Sequence, residues 1–165
     1  KEITEVYCGN GRGKTTLAIG QALRASSQGK SVIIIQFLKG NERRELDFLE
    51  ELDQLDIKIF RFEKMESCYD QLNEEEQAEE ERNILNGLNF ARKVIATQEC
   101  DFLVLDEILG LLDKHIATVD MVVGLLKQKD ESMHLILTGN RVDPGILDYV
   151  DSVTTITTLG REQNS

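Results

Sequence analysis

The sequence predicts an α/β fold: a mostly parallel sheet of about six strands with helices on both faces. Two observations carry this reading. Short β-branched runs alternate along the chain with longer stretches of helical periodicity, which is the pattern of βαβ units. A glycine-rich turn ending in Lys-Thr joins the first run to the first helical stretch, the local order of a phosphate-binding loop.

The strand candidates are Ile3–Cys8, Val32–Phe37, Ile57–Phe62, Phe102–Leu105, Leu135–Leu137 and Val153–Thr157. Between them the periodicity predicts helices over Lys14–Ala25, Arg43–Leu52, Glu74–Ala96, Val119–Lys127 and Pro144–Tyr149. In the longest, Ile84, Leu88, Ala91 and Ile95 recur at three- and four-residue steps and mark a core-facing stripe. Its acidic start, Glu74–Glu76 and Glu79–Glu81, reads as a solvated face whose charge suits the positive end of the helix dipole. The stretch Glu63–Asn73, with Met65, Cys68 and Tyr69, reads as either a binding loop or a connector.

At 165 residues and 41% hydrophobic content, with one proline and no repeat or low-complexity linker, the expectation is a single domain over residues 1–165. No apolar run approaches the roughly 20 residues that span a bilayer, and no secretory signal is visible, so a cytoplasmic protein without membrane contact is expected. Cys8, Cys68 and Cys100 are too few and scattered for a disulfide framework and are expected as free thiols. His115 and His134 lack a second ligand at helical spacing, so any metal is expected to arrive with a nucleotide. A net charge of −11 repels a phosphate backbone and argues against a nucleic-acid partner.

The chemistry concentrates at Gly9-Asn10-Gly11-Arg12-Gly13-Lys14-Thr15-Thr16. Glycines let backbone N–H groups turn toward phosphate oxygens, Lys14 adds a positive charge, and the Thr15 hydroxyl is a ligand for Mg²⁺. These eight residues are the expected ATP-binding loop of a single-domain P-loop (RecA-like) fold. The loop is one residue short, because Cys8 stands where the usual pattern has its first glycine. A shorter loop should hold the phosphate chain differently. A second element, Phe102-Leu-Val-Leu-Asp106-Glu107, is an apolar strand ending in two carboxylates, which makes Asp106 and Glu107 the metal candidates beside Thr15. Lys39-Gly40 and Thr138-Gly139-Asn140-Arg141 also follow strands, and in a parallel sheet all strand C-termini line one edge. Lys39 and Arg141 are therefore expected to converge with the loop on bound ATP.

Four segments together resemble the P-loop ATP:corrinoid adenosyltransferases: Cys8–Thr16, Gln36-Phe37-Leu38-Lys39-Gly40, Val104-Leu105-Asp106-Glu107, and Thr138-Gly139 followed by Ile146-Leu147-Asp148 and Asp151-Ser152-Val153-Thr154. They cover most of residues 3–154 in the family's order, and the shortened loop is itself a family mark. The resemblance implies attack of corrinoid Co(I) on C5′ of ATP with inorganic triphosphate leaving, and no general base. Lys14, Thr15 and Glu107 would carry catalysis, with electrostatic stabilisation of the departing triphosphate as its main source. It further implies ATP and a corrinoid as substrates, Mg²⁺, a flavoprotein electron donor and a homodimer. Aromatic residues before the long helix would face the corrinoid, and Phe60, Phe62 and Tyr69 are the candidates here.

The chain departs from the family in having no Trp, in reading Thr138-Gly139-Asn140 with Arg141 one place late, in placing Thr155 where an acid is usual, and in ending Gly160-Arg-Glu-Gln-Asn-Ser165. Two alternatives stay open on sequence. One is an ordinary P-loop phosphotransferase or NTPase such as a nucleoside kinase. The other is a non-catalytic relative that binds ATP or corrinoid.

Overall fold

The computed structural model describes residues 2–38, 49, 51–52, 54–62 and 69–160. Six strands, β1 (Thr4–Cys8), β2 (Val32–Gln36), β3 (Ile57–Arg61), β4 (Phe102–Asp106), β5 (His134–Thr138) and β6 (Ser152–Thr155), form one sheet in the order β3-β2-β4-β5-β1-β6. Every neighbouring pair is parallel. The expected strand count and direction hold, with boundaries moved by one or two residues; β6 ends at Thr155 rather than Thr157.

Helices α1 (Lys14–Ser27), α2 (Glu74–Thr97), α3 (Ile108–Asp113), α4 (Val119–Gln128) and α5 (Pro144–Leu147) cover both faces. Period-two alternation along the strands divides the core. Ile33, Ile35, Leu103, Leu105, Leu135 and Leu137 face α2, α3, α4 and α5, while Val32, Ile34, Val104 and Ile136 face Ala18, Ile19, Ala22 and Ala25 of α1. The helix expected over Arg43–Leu52 lies mostly outside the described residues, as do Met65 and Cys68; Tyr69–Gln71 form one 3₁₀ turn. Helix α3 was not expected: six residues directly after a strong β signal offer too few turns for a periodicity to show.

Helix α2 starts on a capping box, in which the Asn73 side chain accepts the Glu76 amide and the Glu76 side chain accepts that of Asn73. Its stripe of Ile84, Leu88, Ala91 and Ile95 is buried as expected. The solvated reading of Glu79–Glu81 fails at Glu80, which is 1% exposed. Glu80 stands four residues before Ile84 and so falls on the buried stripe, where Asn83 donates to its Oε1 at 3.1 Å. Gly87 on the same helix admits aromatic rings: a Cβ there would lie 2.7 Å from Phe62 and 2.9 Å from Phe37.

Candidate active site

The site is built at the C-terminal edge of the sheet, where β1, β2, β4 and β5 end. The loop after β1 turns through Gly9 (φ 110°) and Gly13 (φ 99°), and Gly13 caps α1 in a left-handed conformation that disfavours any residue with a Cβ. The N-terminus of α1 therefore begins at this sheet edge, the end of a helix that favours an anion. Lys14 folds back over the loop. Its Nζ donates to the Gly9 carbonyl at 2.8 Å, to the Gly11 carbonyl at 3.1 Å and to Asn140 Oδ1 at 3.3 Å.

Asp106, at the end of β4, is fully buried. Thr15 Oγ1 donates to its carboxylate at 3.0 and 3.2 Å, Thr138 Oγ1 donates to Oδ1 at 2.7 Å, and Gln36 Nε2 donates to Oδ2 at 3.2 Å. The donors come from α1, β5 and β2. Register explains the last: Gln36 lies opposite both Asp106 on β4 and Arg61 on β3, and Arg61 Nε donates to Gln36 Oε1 at 3.2 Å. A row of polar side chains thus crosses three adjacent strands at the sheet edge.

Glu107 follows in a left-handed conformation (φ 64°) as the N-cap of α3. Its amide donates to Thr138 Oγ1 at 2.8 Å, and a Cβ on Gly110 would lie 3.1 Å from its Oε2. Leu38, leaving β2, is also left-handed at φ 52°. Two non-glycine residues held at positive φ on one sheet edge mark a place where the surrounding structure over-determines the backbone.

The hard oxygens of Thr15 and Asp106 fit Mg²⁺, which takes one or two carboxylates together with phosphate oxygens and water. Among the described residues no three of His, Cys, Asp and Glu cluster as an all-protein cage.

The remaining candidates divide. Gly9–Thr16, Asp106, Glu107 and the Thr138–Asn140 turn come together. Lys39 lies outside the described residues. Arg141 lies one residue past Asn140, exposed, with Nε 3.0 Å from Asp113 Oδ1, on the rim of a cleft of about 280 Å³ also lined by Leu109, Leu112 and His115. Phe60 and Phe62 pack against Phe90 of α2, with ring centroids 4.6 and 5.7 Å away. The Tyr69 hydroxyl donates to Glu81 Oε1, and burial raises that phenol to about 12. Gln36, Arg61 and Phe90 had no assigned role from sequence. Gln36 alone left a signal, a polar residue closing the apolar run Val-Ile-Ile-Ile.

Comparison with solved structures gives the fold: the KaiC-like protein PH0186 of Pyrococcus horikoshii OT3 matches with a TM-score of 0.59 at 17% identity, covering 92% of this chain and 69% of that one. Among curated proteins, the chain is 30% identical over 154 residues to the corrinoid adenosyltransferase of Escherichia coli (strain K12), covering 90% of this chain and 73% of the relative. It is 28% identical over 152 residues to the corrinoid adenosyltransferase CobA of Salmonella typhimurium, with the same two coverages of 90% and 73%. The family model described as ATP:corrinoid adenosyltransferase BtuR/CobO/CobP matches residues 1–163, and the chain belongs to that family.

Proposed function

We propose that this enzyme transfers the 5′-deoxyadenosyl group of ATP to the Co(I) of a corrinoid, releasing triphosphate, and that its Gly9–Thr16 loop holds the triphosphate as a leaving group. The carrying observation is the Lys14–Thr15–Asp106 arrangement at the head of α1, beside a family match over residues 1–163. Co(I) is itself the nucleophile, so the protein needs no base to make one. Its task is to hold C5′ in line and stabilise the negative charge that gathers on the departing triphosphate.

The chain's own groups suit that task. The first-turn amides of α1 and the Lys14 ammonium face developing phosphate charge. Thr15 and Asp106, with Glu107 beside them, would hold Mg²⁺, which supplies charge neutralisation to the phosphates when bound. Thr138 and Gln36 keep the Asp106 carboxylate aimed at the loop. Lys39 and Arg141 are assigned to the nucleotide, and Phe60, Phe62 and Tyr69 to the corrinoid. Support for Phe60 and Phe62 is their place on either side of Arg61, which Gln36 and Asp106 join to Thr15. A cytoplasmic homodimer served by a flavoprotein electron donor completes the reading.

The test incubates the protein with Mg-ATP and a chemically reduced Co(I) corrinoid. A light-sensitive adenosyl product and stoichiometric triphosphate are expected. Release of ADP would transfer the site to phosphotransfer chemistry, and binding of ATP with neither product would make the chain a non-catalytic binder.

A further inference from the structure

The segment that follows β6 lies directly on the phosphate loop. Ile156 continues the β6 pairing, donating its amide to the Cys8 carbonyl at 2.8 Å. Its carbonyl then accepts the Gly11 amide at 2.8 Å, and two residues on the Thr158 hydroxyl accepts the Arg12 amide at 2.8 Å. The Gly9 amide is also committed, to the Asn140 carbonyl at 2.8 Å. The glycines make this seat possible. A Cβ on Gly9 would lie 2.3 Å from the Ile156 oxygen and one on Gly11 2.6 Å from it, whereas one on Gly13 would meet nothing within 4 Å.

We infer that the loop is divided in function: its first half is anchored to protein, Gly11 and Arg12 to the strap Ile156–Thr158 and Gly9 to Asn140, residues 13–16 face the phosphates, and Thr158 is a positioning residue for phosphate binding. This rests on the loop being the phosphate cradle. The Gly11 and Arg12 amides are bonded to the strap and the Gly9 amide to Asn140, so none of the three is free to bind an anion, and Gly9 and Gly11 serve close approach by protein backbone rather than by ligand. A short loop whose first half is pinned presents α1's first turn in one fixed orientation. Pre-ordering of this kind lowers the cost of binding. Thr158 is exposed and far along the chain from the motif, and it acts only through the Arg12 amide.

The test measures binding of Mg-ATP and of inorganic triphosphate by calorimetry to the wild type, Thr158→Val, Thr158→Ser and Lys14→Ala, with thermal melts of each free protein. Loss of one hydrogen bond to a preformed loop should weaken both ligands by the same factor in Thr158→Val, about 3- to 10-fold. Thr158→Ser should restore wild-type affinity, and a surface change of this size leaves folding intact. A melt shifted in Thr158→Val with both affinities unchanged would make the contact merely structural and overturn the inference. Tighter binding in Thr158→Val would mean the strap competes with phosphate and would overturn it too, as would a loss confined to ATP. Lys14→Ala separates the two readings: if it abolishes binding while Thr158→Val does nothing, the cradle stands and the strap's role falls; if it retains affinity, the cradle falls and the strap's role with it.

Discussion

The Thr15 hydroxyl donates to both carboxylate oxygens of Asp106, at 3.0 and 3.2 Å, although the two residues are 91 positions apart and β1, which leads into α1, is not a neighbour of β4. Strand β5 stands between β1 and β4, and it brings Thr138 to the same carboxylate. Asp106 thus accepts from side chains of three different elements, Thr15, Thr138 and Gln36.

Asp106→Asn keeps the shape and removes the charge, and its amide would turn N–H groups toward Thr15 and Thr138, which are donors themselves. Adenosyl transfer should fall by about 10- to 100-fold, with a higher Mg²⁺ requirement at fixed ATP. Titrating Mg²⁺ against rate checks this, and an unchanged Mg²⁺ dependence would remove Asp106 from the metal site.

Gln36 is 2% exposed and joins Asp106 to Arg61. Gln36→Leu leaves a buried carboxylate oxygen short of a donor and should destabilise the fold by about 1–3 kcal/mol. Thermal or urea unfolding measures it. An equal melting temperature would show that the amide contributes nothing to the row.

Gly11 and Gly13 separate crowding from backbone strain. Gly11→Ala drives a Cβ into the Ile156 backbone, while Gly13→Ala enters open space at φ 99°. Gly13→Ala should cost the strain alone, about 1–3 kcal/mol. Gly11→Ala should instead displace the strap, and proteolysis of the segment after β6 should accelerate in that variant only. Equal protease sensitivity in the two would contradict the packing.

Stability should decline at alkaline pH. Burial pushes the Cys100 thiol from 9.0 up to about 12, and burial with Glu5 nearby raises the Tyr7 phenol from 10.0 to about 12. Above pH 9.0 the unfolded chain releases the thiol proton that the folded one retains. The unfolded state then binds fewer protons and stability falls as pH rises, from about 9 toward about 12. Melts across this interval should drop, less steeply in Cys100→Ala; a rising melting temperature would refute the assignment.

Much of the site was legible because its chemistry is local. The order strand, glycine turn, Lys-Thr and helix is contiguous from Ile3 to Ala25, and an apolar strand ending in Asp106-Glu107 is equally short-range. The six parallel strands followed from β-branched runs alternating with helices, and the α2 stripe from its period. Periodicity also held the answer for Glu80, whose spacing from Ile84 outweighed the charge run around it.

Other features needed the fold. The order β3-β2-β4-β5-β1-β6 puts Gln36 opposite Asp106 and Thr138 within reach of the same carboxylate, placements that depend on which strands are neighbours. The strap depends on β6 pairing with β1, which carries Ile156 and Thr158 back to a loop almost the whole chain away. Residue type and spacing report what a stretch of chain can form and which chemical groups it holds. Which distant groups then meet is set by sheet register and by the single packing that buries both faces, and these belong to the whole chain at once.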